Sequence, residues 1–200
     1  MALVYTDEDF MTVKQISEEA GWPLEYTTTK GFIPYLNRMR QDKIKGIEIG
    51  TGRGEGSYLI LEKCSKVEKL YTVDPFKEYM DWVGVIEQKD QTKFEEIAKT
   101  NLSEFGDRVE MIKKSSDEAA SMFEDNSMDF IFIDGDHSAD QVKRDCINYY
   151  PKLKVGGLFA VHDSNLNMVK DGLKQFRDEK KVRVPIQLIG SSVSFWYKMG

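Results

Sequence analysis

The stretch Glu48-Ile49-Gly50-Thr51-Gly52-Arg53-Gly54-Glu55-Gly56 decides how this chain is read. Ile44-Lys45-Gly46-Ile47-Glu48-Ile49 before it has the character of a strand ending at Gly50. Residues 55–63 after it have the character of a helix. A strand that runs through glycines into a helix is the opening unit of a parallel α/β sheet. The rest of the chain repeats the alternation. Strands are predicted at 70–73, 108–112, 128–134 and 157–161, and helices at 92–105, 116–123, 139–149 and 168–180. Phe130-Ile131-Phe132-Ile133 is a continuous apolar run, which suits a strand buried on both faces. A last strand pair, 183–189 and 193–197, is joined by Gly190-Ser191-Ser192 in the manner of a hairpin. The fold expected is α/β: a Rossmann-like three-layer sandwich whose seven-stranded, mainly parallel sheet carries one antiparallel edge strand.

Residues 1–43 hold helical patterns but no clear strand. They are expected to form an N-terminal helical segment covering the sheet or the site, with 44–200 as the main domain. Residues 75–91 make a long βα connection, which is either a lid or a packed loop. Its Tyr79 and Trp82, like Trp196, read more naturally as packing residues than as a platform for a ligand.

Composition bounds the function. The 200 residues suffice for one domain with a sizeable core, since 40% are hydrophobic and 12% aromatic. The net charge of −6 argues against a broad nucleic-acid or anionic-membrane surface, so neither partner is expected. Cys64 and Cys146 are too few for a disulfide framework and fit no cysteine metal site, leaving two buried or half-buried thiols. No apolar run reaches membrane-spanning length and Met1 to Phe10 do not resemble a signal peptide, so a cytoplasmic location is the default expectation.

The first candidate site is the glycine turn with Asp74, which ends the next strand. An acid there is placed to accept hydrogen bonds from both ribose hydroxyls of a nucleoside cofactor. The dinucleotide fingerprint G-x-G-x-x-G does not fit, because its third glycine falls on Glu55 in one register and Ser57 in the other. An acid at the helix start would also repel a pyrophosphate. A nucleoside cofactor without phosphate escapes that objection, and S-adenosylmethionine is one.

The second candidate site lies at two further strand ends. Ile133-Asp134-Gly135-Asp136-His137 and His162-Asp163-Ser164-Asn165 would be neighbours on the ligand side of a parallel sheet. Asp134, Asp136 and Asp163 would then crowd one volume, and like charges that close need a positive partner. A divalent cation such as Mg²⁺ would supply it, and the imidazoles of His137 and His162 would admit a softer metal. Such a cation would orient an acceptor hydroxyl and lower its pKa, with Asp136 or His137 taking the proton. The plainer reading is that Asp134 and Asp136 cap the helix that follows.

Glu48-x-Gly50-x-Gly52-x-Gly54 and Asp74 resemble the first two motifs of the class I S-adenosylmethionine-dependent methyltransferases. The resemblance implies that Glu48, Gly50, Thr51, Gly52 and Gly54 meet the methionyl part and that Asp74 holds the ribose. Ser115 and Ser116, after the third strand, would meet adenine, although a plain helix cap accounts for them equally well. Residues 132–176 are similar to the small-molecule O-methyltransferases with a D-G-D-H motif, the branch of macrolide-sugar, aminocoumarin and cephalosporin-pathway enzymes. That similarity implies a hydroxyl-bearing small-molecule acceptor, Asp134 against cofactor and metal, Asp163 as a metal ligand and Asp136 as base, with His137 acting chemically or orienting a ligand. His162 departs from the acid common at its place in metal-dependent members, which leaves a His162-containing metal site or a metal-independent enzyme. A non-catalytic S-adenosylmethionine-binding subunit is the alternative of another class. By analogy with similar enzymes a homodimer is expected.

Overall fold

The computed structural model describes residues 31–81 and 84–200; residues 1–30 and Trp82, on which part of the preceding reading falls, lie outside the described residues. A seven-stranded sheet runs in the order β5-β2-β1-β6-β7-β9-β8, with β1 Ile44–Ile49, β2 Val67–Val73, β5 Val109–Ile112, β6 Met128–Ile133, β7 Leu153–Val161, β8 Gln187–Ile189 and β9 Val193–Tyr197. All neighbours from β5 to β7 pair in parallel. β9 pairs antiparallel with both β7 and β8, so the one reversed strand is β9, and three-residue β8 flanks it at the rim. The α/β fold is the one expected.

The helices are α1 Ile33–Asn37, α2 Glu55–Lys63, α3 Gln88–Leu102, α4 Ser116–Ala119, α5 Ala139–Tyr149 and α6 Asn167–Glu179. Burial explains the apolar run of β6. Ile131 and Ile133 enter a core shared with Val142, Cys146 and Tyr149 of α5 and Leu173 and Phe176 of α6. Phe130 and Phe132, pointing the other way by the two-residue period of a strand, enter a core with Leu36 of α1 and Leu59 of α2. Phe32, just before α1, sets its ring 5.0 Å from that of Phe132. Each fully buried aromatic or aliphatic side chain of this kind contributes roughly 1.5–3 kcal/mol. Trp196 is wholly buried in the first core, a packing residue as read from the sequence. Both cysteines are free and buried.

Several segments depart from expectation, among them the strand read over 183–189, which shrinks to β8 Gln187–Ile189. Residues 75–91 are not an unstructured connection: β3 Tyr79–Asp81 and β4 Gly84–Ile86 form an antiparallel hairpin, and α3 begins at Gln88, four residues before the predicted start. Strands of three residues are too short to print a period on the sequence. β7 begins at Leu153, four residues earlier than read, because Gly156 and Gly157 interrupt the apolar pattern without ending the strand.

Candidate active site

The sheet ladder sets the site. Beyond the strand ends, hydrogen bonds continue from Asp74 N to Ile112 O, Gly50 N to Val73 O, Asp134 N to Ile49 O and His162 N to Ile133 O. These four bonds hold Asp74, Gly50, Asp134 and His162 in a row along the carboxyl edge. β1 and β6 are neighbours whose connections leave in opposite directions, and ligands bind at such a switch point. Gly50 is packed against that point: at φ +93 a Cβ would stand 1.9 Å from Asp134 O. Gly52, at φ +49, has nothing within 4 Å of where its Cβ would be, so this face of the turn is open to a ligand.

A cavity of about 660 Å³ opens on this edge. It is lined by Glu48, Gly50, Thr51, Gly52, Asp74, Ser115, Ser116, Asp134, Asp136 and His137, all named from the sequence. Gly54 lies outside the lining and stands at the N-cap of α2 in left-handed conformation. Asp74 ties the turn together. Its Oδ2 accepts from the amides of Thr51 (3.1 Å) and Gly52 (3.0 Å), and its Oδ1 from that of Phe76 (2.8 Å). Burial raises its pKa, against the pull of those three amides. Phe76 is buried at φ +47, a conformation costly for a bulky residue, and it fixes the chain where Asp74 is held.

Glu48 is buried beneath the turn. Its Oε2 accepts from Ser57 Oγ and from Thr72 Oγ1 (3.1 Å), and Thr72 in turn bonds Thr51 Oγ1 at 2.7 Å. Burial pushes the Glu48 carboxyl up to about 8, only partly offset by these hydroxyls, so the group is mostly neutral at pH 7.

On the β6–β7 side Asp134, His162 and Asp163 bring their ligand atoms within 4.8 Å of one another. His162 Nδ1 lies 2.7 Å from Asp134 Oδ1 and 3.2 Å from Asp163 Oδ2, and the same Asp163 oxygen is 3.0 Å from His137 Nε2. Burial works against charge on His162, but the two carboxylates override it and raise the imidazole to about 10. Burial likewise works against the Asp163 carboxylate, and its two imidazole partners win, holding it well below the usual range. Asp163 sits at φ +48, a strained position for a residue with a side chain. Asp136 stands apart from the cluster. Its Oδ1 accepts from the Ser138 amide at 2.7 Å, while Ser138 itself caps α5.

Ser115 is the N-cap of α4 in a reciprocal capping box with Glu118, so the plain cap reading holds for it. Ser116 faces the cavity and accepts from Gln141 Nε2 at 3.0 Å. Gln141 and Asp145 of α5, Tyr79 of the hairpin and Phe94 of α3 also line the cavity, and sequence reasoning assigned none of them to it. The i, i+4 spacing of Gln141 and Asp145 on one helix face was the available signal.

The family described as "Methyltransferase domain" matches residues 47–164, which span the glycine turn, Asp74 and both acidic strand ends. The chain belongs to that methyltransferase family. A curated relative, "Uncharacterized protein R132" of Acanthamoeba polyphaga mimivirus, is 31% identical over 131 residues, 64% of this chain and 54% of that protein. The chain thus spans about half the length of that relative. Solved structures share the methyltransferase fold. The O-methyltransferase NovP superposes with a TM-score of 0.67 at 15% identity, over 85% of this chain and 80% of NovP. The O-methyltransferase TomG from Streptomyces achromogenes, in complex with SAM, gives 0.62 at 18% over 99% and 92%. A methyltransferase from Geobacter sulfurreducens gives 0.60 at 19% over 99% and 92%. Among the described residues no helix is long and apolar enough to cross a membrane.

Proposed function

We propose that this chain binds S-adenosylmethionine in the cavity and transfers its methyl group to a hydroxyl oxygen of a small molecule. The observation that carries the reading is Asp74: one carboxylate at the end of β2, pinned to two amides of the glycine turn and facing the cavity of a methyltransferase-family chain. The charge of the lining supports it. Eight carboxyl groups and only two permanent cations, Arg53 and Lys77, surround the space, which suits a sulfonium and an ammonium and opposes a pyrophosphate. In this reading Asp74 takes the ribose hydroxyls, the Gly50–Gly54 turn meets the methionyl tail, and Ser116 meets adenine. Tyr79 and Ile86 of the β3–β4 hairpin, which line the cavity, would border the acceptor side. The acceptor oxygen displaces S-adenosylhomocysteine as leaving group, and Asp136 or His137 receives its proton. The contact of His137 with Asp163 resembles a base held in orientation by an acid.

A divalent cation fits the Asp134–His162–Asp163 group by the chemistry of its donors, a mixed oxygen and nitrogen set whose ligand atoms lie within 4.8 Å of one another. When bound it would supply charge to hold an acceptor hydroxyl and lower its pKa. A second reading is also favoured by an observation: the His162 ring already lies between the two carboxylates, where a cation would sit. Calorimetry tests both levels. S-adenosylhomocysteine is expected to bind one to one with micromolar affinity, and no heat at millimolar ligand contradicts the cofactor. Mn²⁺ or Mg²⁺ binding lost in Asp163→Ala supports the metal, and no binding to the wild type supports the metal-independent route. A small-molecule acceptor, no nucleic acid, a cytoplasmic setting and a homodimer complete the proposal.

A further inference from the structure

A second cavity, of about 790 Å³, opens between α6 and the segment that runs from Val182 into the β8–β9 turn. Its charge is the reverse of the first. Lys170, Lys174, Arg177 and Arg183 line it, against one carboxylate, Asp178. The chain as a whole carries −6, so this concentration of positive charge is local. Three of the cations come from α6 at spacings of four and three residues, which stacks them on one face. Asp178 does not balance the group. Its Oδ2 is 2.7 Å from Lys174 Nζ and its Oδ1 3.4 Å from Arg183 Nη1, so both oxygens are taken. That leaves Lys170 and Arg177 without a balancing carboxylate in the lining. Arg177 is held in place: its guanidinium lies 5.0 Å from the centroid of the Trp196 ring, and Nη2 donates to Val184 O, which ties α6 to the segment after it. Burial works against its charge, and Nη1 is buried with no hydrogen-bond partner among the described residues. Beside the cations the lining is aliphatic. Leu173 and Val182 are buried, while Ile186 and Leu188 are 40% and 62% exposed.

We propose that this cavity is a second binding site, separate from the nucleoside cavity, and that it takes a small organic anion: a carboxylate or phosphate ester on an apolar body. The anionic group answers Lys170 and Arg177, whose guanidinium is already fixed in one orientation. The apolar body covers Ile186 and Leu188. A bare inorganic anion would use the charges and leave these side chains in water, and a neutral apolar molecule would do the reverse. The first cavity, lined by eight carboxyl groups, repels such a ligand, so the two sites sort their ligands by charge. Ser164 and Asn165 line the second cavity and directly follow Asp163, so the site begins one residue beyond the charged end of the sheet edge. The inference does not depend on the nucleoside reading above.

Calorimetry on the full chain tests the proposal with four probes: octanoate, octyl phosphate, 1-octanol and inorganic phosphate. At least one of the first two is expected to bind about tenfold or more tighter than either of the last two, and the better of them tells a carboxylate site from a phosphate ester site. The double variant Lys170→Glu/Arg183→Glu reverses two exposed charges of the lining and is expected to weaken that binding by about tenfold or more. The double variant Lys43→Glu/Lys89→Glu makes the same change of net charge at exposed positions outside the lining, and it should stay within about twofold of the wild type. Leu188→Ser should weaken the octyl anion and leave inorganic phosphate unchanged. Should the lining variant fail to fold, raising NaCl from about 50 to about 500 mM with the wild type is expected to weaken the octyl anion several-fold. Three results overturn the site: no binding of either octyl anion at millimolar concentration, 1-octanol or inorganic phosphate binding as tightly as they do, or equal losses in the two double variants.

Discussion

The carboxyl edge of the sheet holds two acidic neighbourhoods that solve the same problem in opposite ways. At the β1–β2 end, Glu48 and Asp74 are paired with neutral donors: hydroxyls of Ser57 and Thr72, and amides of Thr51, Gly52 and Phe76. Both carboxyl groups are pushed up by burial. At the β6–β7 end, Asp163 is paired with two imidazoles and held down, and His162 is raised by the carboxylates around it. The difference teaches a division of labour. Neutral donors fix a shape, a cradle at the glycine turn. Charged partners fix a field, and a field acts on a developing charge.

The comparison breaks most visibly at the packed turn. Gly50→Ala drives a Cβ into Asp134 O at the junction of the two neighbourhoods and forces a left-handed alanine. A loss on the order of 3 kcal/mol in denaturant melts is expected, with nucleoside binding abolished. Gly52→Ala, with open space at its Cβ, should cost about 1 kcal/mol of stability from its positive φ alone. Equal effects at the two glycines would contradict the distinction between a packed and an open face.

Removing the charged partner sharpens the other half. His162→Ala leaves Asp134 and Asp163 without the ring that separates them, and a loss of about 2 kcal/mol is expected. The affinity for S-adenosylhomocysteine should stay within about threefold, since the cradle lies at the other end of the edge. Thermal melts and calorimetry on the same sample read both quantities.

The smallest effect is titratable. The folded value of Glu48, about 8, lies above its ordinary 4.5, so the fold holds a proton that the unfolded chain releases in that window. The stability this proton contributes is fully present below pH 4.5 and is lost as pH rises through about 8. Glu48→Gln should flatten the decline of melting temperature between those values and raise it at pH 8.5 by about 2–4 °C, corresponding to about 1 kcal/mol. Asp145, raised by burial to about 7, leaves a residual slope of the same sign.

How much of this was legible in the chain follows from which signals are local. Gly50, Asp74 and the Asp134-to-His137 run announced themselves because each sits where a strand pattern stops, and β6 announced itself as an apolar run buried on both faces. The pairing of His162 with Asp134 is less local: it depends on β6 and β7 lying in register, with Ile133 opposite Val161. The sequence suggested that the strand ends would meet, and it suggested three aspartates there. The geometry instead puts an imidazole between two of them and turns Asp136 to its own backbone neighbour. The network of Glu48, Ser57 and Thr72 draws on three separate elements, so no spacing rule reaches it. The burial of Asp145 follows from the packing of α5 and is not local to the sequence.

One measurement tests the division of the edge most directly: calorimetry of S-adenosylhomocysteine with Asp74→Ala beside Asp163→Ala. The cradle and the field predict that Asp74→Ala weakens binding by about 30-fold or more while Asp163→Ala stays within about threefold of the wild type. Equal losses in the two variants, or a larger one in Asp163→Ala, would contradict it.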